Sequence, residues 1–177
     1  MKILIAYATS EGQTRKIAGY IASRLGADGH EVTTYDSAST LGDTDLNAFG
    51  AIFVAGSVHD HEHQEAIIDF AIAHRDTLNA TPSAFLSVSL AAAMKNGVQD
   101  AQSYVDGFVE ETGWRPADVL LVAGALRQSE YDYFRQQIIK SIVAERDDRL
   151  DPERDCEFTD WNAVASFVWS VVEKAKR

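Results

Sequence analysis

The stretch KILIAYATSEGQTRKIA, residues 2–18, places a polar loop between a strand-like run and the start of a helical pattern. Residues 2–8 form an apolar run of the kind that is buried on both faces in a parallel sheet. After the loop, Ile17, Ile21 and Leu25 recur at four-residue spacing, which is typical of a helix with one buried face. A strand followed at once by a helix is the repeating unit of α/β folds, so this stretch predicts that class.

The same alternation continues to the end of the chain. Strand-like runs occupy residues 31–36, 51–57, 83–90 and 118–124, and helical patterns lie at 63–78, 98–109 and beyond 160. Because parallel strands are joined by right-handed helical crossovers, we predict a doubly wound, five-stranded parallel sheet in the order 2-1-3-4-5. We expect a single domain over residues 1–177, with an insert at about 127–157 between the fifth strand and the last helix.

Two of the helical patterns predict which side chains face the core. In the helix before the fifth strand, these are Val98, Ala101, Val105, Phe108 and Val109. In the last helix they are Trp161, Val164, Val168 and Val171, and the helix begins after Thr159 or Asp160 as its N-cap.

Composition limits the classes of function that the chain can have. Its 177 residues are 46% hydrophobic and 24% charged, which is typical of a globular protein. The formal net charge of −11 disfavours nucleic acid as a partner. The single cysteine, Cys156, allows no internal disulfide, and its acidic neighbours disfavour a nucleophilic thiolate. Together with a strand-like start in place of an export signal, this single cysteine predicts a cytoplasmic protein. No apolar stretch approaches the ~18 residues of a membrane span, so we expect any membrane contact to be peripheral.

The loop of residues 9–14 lies where a doubly wound sheet binds its ligands, outside the carboxyl end of a strand. The amino terminus of the following helix offers N–H groups and a partial positive charge, and Thr9, Ser10 and Thr14 add hydroxyl donors. Gly12 lets the backbone turn sharply. This pattern predicts a site for a phosphate monoester, because it lacks the glycines of a dinucleotide fingerprint and the lysine of a Walker loop. The alternative is a capped turn whose hydroxyls only satisfy the helix end.

Several motifs carry a resemblance to a known family. The segment TSEGQT, residues 9–14, resembles the loop that binds the phosphate of FMN in flavodoxins. More narrowly, EGQTRKIAGYIASRL, PSAFLSVSL, GWRPADVLLVAGALR and FTDW are similar, in this order, to stretches of the menaquinone-dependent protoporphyrinogen dehydrogenases. These form a haem-biosynthesis branch of the flavodoxin superfamily and also carry an insert after strand five. The resemblance implies a flavodoxin-like fold, FMN as cofactor, and oxidation of protoporphyrinogen IX to protoporphyrin IX with a quinone as acceptor.

The resemblance also implies which residues bind the cofactor. The first of four segments would bind the phosphate of FMN, the second and third would flank the flavin ring, and the fourth would lie at the entrance to the insert. These segments are Thr9, Ser10, Glu11, Gly12, Gln13 and Thr14; Ser57, Val58, His59, Asp60 and His61; Leu90, Ala91, Ala92 and Ala93; and Gly124, Ala125, Leu126 and Arg127.

The histidine-rich loop SVHDHEHQ, residues 57–64, departs from the family, which has tyrosine and arginine nearby. Three interpretations stay open. His59, His61 and His63 could bind a metal. Because no distant Cys or His partner is evident, we expect no metal site. His59 or His61 could hydrogen-bond the flavin or relay a proton, which makes both candidate catalytic residues. The third interpretation is that all three are solvated histidines at a helix start.

The propionates of a tetrapyrrole need cationic partners or water. Arg127 is the first candidate for such a cation and a third candidate catalytic residue, and Arg115, Arg135 and Lys140 are the other candidates nearby. The loop after the fourth strand contains a single basic residue, Lys95.

The insert carries two further patterns. Tyr131, Phe134, Ile138 and Ile142 lie along one side of a helical pattern, which predicts either a lid over the cofactor or a face packed on the domain. Residues 145–157 contain seven acidic and three basic residues. An anionic bilayer repels such a segment, so we expect at most weak peripheral contact with the inner face of the cell membrane. Formation of a homo-oligomer stays open.

Two other functions stay open at this point: a flavodoxin-type electron carrier and an NAD(P)H:quinone reductase. The insert favours an enzyme, because a carrier benefits from an exposed flavin edge. The lack of a dinucleotide fingerprint predicts that NADH and NADPH are poor direct reductants.

Overall fold

The strands and helices follow the predicted alternation along the chain. The structure, a computed structural model, describes residues 1–39, 44–94, 96–126 and 155–176. Its strands are β1 (Lys2–Ala8), β2 (Glu31–Asp36), β3 (Ala51–His59), β4 (Glu62–His63), β5 (Ser83–Ser89), β6 (Asp118–Ala123), β7 (Ala125–Leu126) and β8 (Cys156–Glu157). Its helices are α1 (Gln13–Ala27), α2 (Glu65–Ala73), α3 (Arg75–Ala80), α4 (Val98–Thr112) and α5 (Trp161–Ala175), with short 3-10 turns at Leu46–Ala48 and Ala91–Ala93.

Five strands form one parallel sheet in the order β2-β1-β3-β5-β6 within the described part of the chain. This confirms the predicted flavodoxin-like α/β fold and the order 2-1-3-4-5 of its parallel strands. The additional strand β4 is only two residues long and folds back antiparallel on the end of β3. Sequence patterns did not predict β4, because so short a strand has no periodicity to detect.

Apolar residues on the two faces of the sheet form two cores. Successive residues of a strand point to opposite faces. Ile3 and Ile5 therefore share a core with α1 and α5, whereas Leu4 and Ala6 share the other core with α2, α3 and α4. Helices cover both faces of the sheet, so a ligand site is expected among the loops at its carboxyl edge.

Two helical predictions need correction. The pattern at 63–78 forms two helices, α2 and α3, which meet at His74. Val98, predicted to face the core, is 59% exposed, because α4 begins before it reaches the core that Val105 and Phe108 join.

The start of α5 is tied to the end of β6. Asp160 is the N-cap, and its carboxylate accepts hydrogen bonds from the N–H groups of Asn162 and Ala163. Thr159, the other predicted cap, instead donates its hydroxyl proton to the Ala123 carbonyl at 2.7 Å. Asp160 occupies the last position before the helix, which leaves the Thr159 side chain to anchor the preceding loop.

A short antiparallel ribbon joins the residues on either side of positions 127–154. Ala125 pairs with Glu157, and Leu126 pairs with Cys156. Residues 127–154 lie outside the described residues, and with them the apolar stripe predicted to form a lid. The single-domain interpretation stays a prediction. Among the described residues, no helix combines the length and the apolar character that crossing a membrane requires.

Candidate functional site

A cavity of about 450 Å³ opens at the carboxyl edge of the sheet. The loops after β1, β3, β5 and β6 form its walls, as expected where the winding of a doubly wound sheet reverses. Each of the four predicted segments contributes to the lining. The predicted residues that line it are Thr9, Ser10, Glu11, Gln13, Thr14, Ser57, Val58, His59, Asp60, His61, Leu90, Ala91, Gly124 and Ala125.

The remaining predicted residues are not part of this lining. Gly12 shapes the loop before α1, Ala92 and Ala93 complete the turn behind Ala91, and Leu126 belongs to the ribbon. Arg127 lies outside the described residues.

Sequence analysis missed five lining residues and one that supports the lining. Asp100 and Tyr104 lie one turn apart near the start of α4, and this spacing of polar residues was the signal available to find them. Gln64, just before α2, bonds the side chains of two lining residues, Ser10 and Ser57. The other missed lining residues are Val88, Ser89 and Met94.

Gly12 lets the polar loop turn into α1. Its φ is +86°, in the left-handed region that glycine adopts without strain. The Gly12 N–H donates to the Thr9 hydroxyl at 2.9 Å. This bond lies outside the helix, and α1 has no side-chain cap. The capped-turn alternative is therefore not supported, and the first-turn N–H groups keep the donor capacity that an anion requires.

Two buried polar atoms at this helix end have no hydrogen-bond partner among the described residues: Thr14 Oγ1 and Gln13 Oε1. Thr14 is fully buried, and the other amide atom of Gln13, Nε2, donates to Thr159 Oγ1 at 3.0 Å. Buried polar groups in folded proteins are nearly always paired. The two atoms therefore point to a ligand that offers both a hydrogen-bond acceptor and a hydrogen-bond donor.

The turn that joins β3 to β4 holds two residues in the left-handed region. The φ of Asp60 is +51° and that of His61 is +72°, as in two-residue hairpin turns that favour Asn-Gly or Asp-Gly. A histidine in this conformation is strained, and such strain is common at functional sites. The turn brings His61 Nδ1 to 3.1 Å from the Tyr104 hydroxyl. His59 Nε2 lies 3.5 Å from the Asp60 carboxylate.

His63 lies beneath the cavity wall and not in it. The residue is 5% exposed, its ring packs against Phe85 and Phe108, and its Nε2 is 3.0 Å from Ser87 Oγ. Burial lowers the pKa of His63 to about 4. Gly56 makes room for it, because a Cβ at that position would lie 3.1 Å from His63 Cδ2. The interpretation of three solvated histidines is therefore wrong for His63.

The metal interpretation of the histidine-rich loop has no geometric support. His59, His61 and His63 are directed to the different partners described above. Within the described ranges, no group of three or more His, Cys, Asp or Glu side chains is placed to hold a metal ion.

The described lining of the cavity carries carboxylates and neither lysine nor arginine. The carboxylates belong to Glu11, Asp60 and Asp100. Arg115 precedes β6 and is exposed at the opposite, amino edge of the sheet, so its predicted place near the substrate is wrong. The other basic candidates, Lys95, Arg127, Arg135 and Lys140, lie outside the described residues.

The sequence pattern of the flavodoxin domain matches residues 4–153 of the chain. The chain belongs to the flavodoxin-domain family. This membership implies a flavin cofactor, and the cavity at the carboxyl edge is the candidate flavin site.

Within this family, the chain is similar to proteins of one name, which confirms the predicted resemblance. It is 31% identical over 168 residues to protoporphyrinogen IX dehydrogenase (quinone) of Escherichia coli strain K12, and the match covers 94% of this chain and 92% of that one. A Leishmania major protein of the same name is 29% identical over 168 residues, with 94% and 72% of the two chains covered.

Solved flavodoxins share the fold. Oxidised flavodoxin 1 from Bacillus cereus superimposes with a TM-score of 0.56 at 15% identity, covering 100% of this chain and 99% of that one. Flavodoxin 2 from Bacillus cereus gives 0.56 at 20% identity, covering 98% and 99%. At these identities the likeness concerns the fold alone.

Proposed function

We propose that this flavodoxin-domain protein is an FMN-dependent protoporphyrinogen IX dehydrogenase that passes electrons to a quinone. The observation that carries the proposal is the extent of its likeness to the Escherichia coli enzyme, which covers 94% of this chain. A match of that length includes most of residues 127–154.

FMN suits the polar groups around the phosphate loop. The first-turn N–H groups of α1 and the Thr14 hydroxyl supply donors for a phosphate, and the partial positive charge of the helix end replaces a lysine or arginine. Gln13 Oε1 can only accept a hydrogen bond, so it suits a ribityl hydroxyl of the flavin. When bound, FMN accepts electrons from a donor and passes them to an acceptor.

Side chains of this chain handle the protons that oxidation of a reduced tetrapyrrole releases. We assign His61 as the proton acceptor, because it lines the cavity and lies 3.1 Å from Tyr104. Burial and the nearby Asp100 carboxylate raise the pKa of Tyr104. In the tautomer in which His61 Nδ1–H donates to the Tyr104 oxygen, Nε2 of the neutral ring is the nitrogen that accepts a proton. His59, whose Nε2 lies 3.5 Å from the Asp60 carboxylate, is the alternative acceptor.

Purification followed by a visible spectrum and an anaerobic assay tests the proposal. The spectrum of FMN should accompany the protein, and protoporphyrin should form from protoporphyrinogen only when a menaquinone analogue is present. A flavin-loaded protein that reduces quinone without consuming protoporphyrinogen would support a carrier instead.

NADH and NADPH should be poor direct reductants of the bound flavin. The loop of residues 9–14 lacks the glycines of the fingerprint that binds the pyrophosphate of a dinucleotide. Stopped-flow mixing measures the rate at which the flavin absorbance is bleached. Rapid, stoichiometric bleaching by either nucleotide would contradict the proposal and favour an NAD(P)H:quinone reductase.

The partners and the location belong to the same proposal. A quinone and a tetrapyrrole are its small-molecule partners, and nucleic acid is not. We place the protein in the cytoplasm, with at most weak contact with the inner face of the cell membrane, and homo-oligomer formation stays open.

A further inference from the structure

Gln64 joins two walls of the flavin site. It is half-buried and lies between β4 and α2. Its Nε2 donates to the Ser10 hydroxyl at 2.8 Å and also to the Ser57 hydroxyl, and its Oε1 accepts from the Ser57 backbone N–H at 3.2 Å. Ser10 belongs to the phosphate loop and Ser57 to the end of β3, and both residues line the cavity.

The direction of each of these hydrogen bonds follows from the chemistry of the groups. The backbone N–H of Ser57 can only donate, so the Gln64 atom that faces it is the carbonyl oxygen. The amide nitrogen of Gln64 then faces the two hydroxyls, and an NH2 group can only donate, so both hydroxyls accept. A hydroxyl that accepts from Gln64 keeps its own proton for another group. Gln64 therefore holds Ser10 and Ser57 as hydrogen-bond donors toward the cavity.

We infer that Gln64 is a positioning residue for two hydroxyl groups. It orients the Ser10 hydroxyl as a donor to the flavin phosphate, and it orients the Ser57 hydroxyl as a donor to a part of the flavin other than the phosphate. The inference rests on the proposed function and deepens it, because it names a side chain outside the cavity lining that decides how two lining residues bind the cofactor.

Gln64→Glu reverses this polarity with almost no change of shape. The carboxylate still accepts from the Ser57 N–H but cannot donate, so the Ser10 hydroxyl turns its proton toward Glu and away from the phosphate. We expect the affinity for FMN to fall about tenfold or more, as for the loss of a hydrogen bond to a charged group. The affinity for riboflavin, which has no phosphate, should fall less.

Two further variants distinguish the loss of the hydrogen-bond donor at position 64 from the effect of an added negative charge. Gln64→Met removes the donor without adding a charge, and it should lower the ratio of FMN affinity to riboflavin affinity in the same direction. Gln102→Glu is the matched control, because it adds the same charge at an exposed position of α4. Its affinities should equal those of the parent, and thermal melts of the flavin-free proteins report whether each variant is folded.

A double-mutant cycle with Ser10→Ala completes the test. Ser10→Ala should weaken FMN binding in the parent but have little further effect in Gln64→Glu, because the proton is already turned away. Equal losses of FMN and riboflavin affinity, or additive effects of the two substitutions, would overturn the inference and leave the proposed function intact. A parent protein that binds no flavin would overturn both.

Discussion

Thr14 combines full burial with a hydroxyl that has no partner among the described residues. A group of this kind destabilises a free protein by about 1–3 kcal/mol. Thr14→Val keeps the shape and removes the hydroxyl, so it should raise the Tm of the flavin-free protein and weaken FMN binding about tenfold or more. Calorimetric melts and titration with FMN measure the two effects. Parent-like FMN affinity in this variant would contradict the role of Thr14 in the phosphate site.

His63 predicts a loss of stability in mild acid. Burial lowers its pKa to about 4 in the folded protein, whereas histidine in an unfolded chain titrates near 6.5. Between these pH values the unfolded chain binds more protons, so the free energy of unfolding decreases as the pH falls. The complete shift corresponds to about 3 kcal/mol.

The variant His63→Gln isolates this contribution, because glutamine does not titrate and can still bond Ser87. Urea denaturation of the parent and the variant at several pH values from about 7 down to about 4 measures the free energy of unfolding. As the pH falls across this range, the free energy of unfolding should decrease more for the parent than for the variant. Parallel profiles would show that the folded and unfolded chains bind a proton at His63 equally well, and they would contradict the lowered pKa.

At the scale of elements, the residue before α4, Gly97, packs closely against the turn Ala91–Ala93. A Cβ on Gly97 would lie 2.2 Å from the Ala91 carbonyl oxygen, although the Gly97 φ of −90° suits any residue. Gly97→Ala should therefore displace Ala91, which lines the cavity, and weaken FMN binding. Titration with FMN measures this loss.

Gly107→Ala is the matched control for this prediction. Gly107 lies within α4, and a Cβ there meets no atom within 4 Å. The substitution should leave FMN affinity unchanged and stabilise the protein by up to about 1 kcal/mol, because alanine favours helix more than glycine does. If both alanine variants bind FMN as the parent does, this wall of the cavity does not depend on Gly97.

At the scale of the whole molecule, contacts with the helices hold β8, which lies at the end of the predicted insert. Glu157 in β8 pairs with Lys16 of α1 and accepts from Trp161 Nε1 at 2.9 Å. Burial opposes ionisation of Glu157, but the hydrogen bonds from Lys16, Trp161 and Gln13 outweigh it and lower its pKa. These contacts join the ribbon to α1 and α5.

Replacing residues 128–154 with a short glycine linker should therefore preserve the fold. Leu126 and Cys156 are paired neighbours, so their Cα atoms lie about 5 Å apart and a few glycines can connect them. We expect the variant to bind FMN, because the proposed phosphate site lies between β1 and α1, outside the replaced segment, and to lose turnover with protoporphyrinogen and quinone. A folded, FMN-loaded variant with full dehydrogenase activity would show that the insert has no part in catalysis.

The order of elements could be predicted from the sequence because it depends on neighbouring residues. The loop that the sequence predicts to bind a phosphate lies in the cavity lining. Apolar runs and four-residue spacing identify the strands of the sheet and the helices around it, and right-handed crossovers then restrict the strand order. The loop of residues 9–14 is similarly local: one glycine, three hydroxyls and a helix start lie within six positions. The resemblance to the protoporphyrinogen dehydrogenases also depended on motifs of this kind.

The arrangement of the other walls of the site depends on tertiary contacts that the sequence patterns do not predict. The left-handed turn at Asp60 and His61 separates two nearby histidines. His61 contacts Tyr104, whereas His63 is buried beneath the cavity wall. Gln64 bonds Ser10 from 54 positions away. Contacts of this kind join segments that are distant in the chain, and their geometry depends on turns and packing that periodicity does not encode.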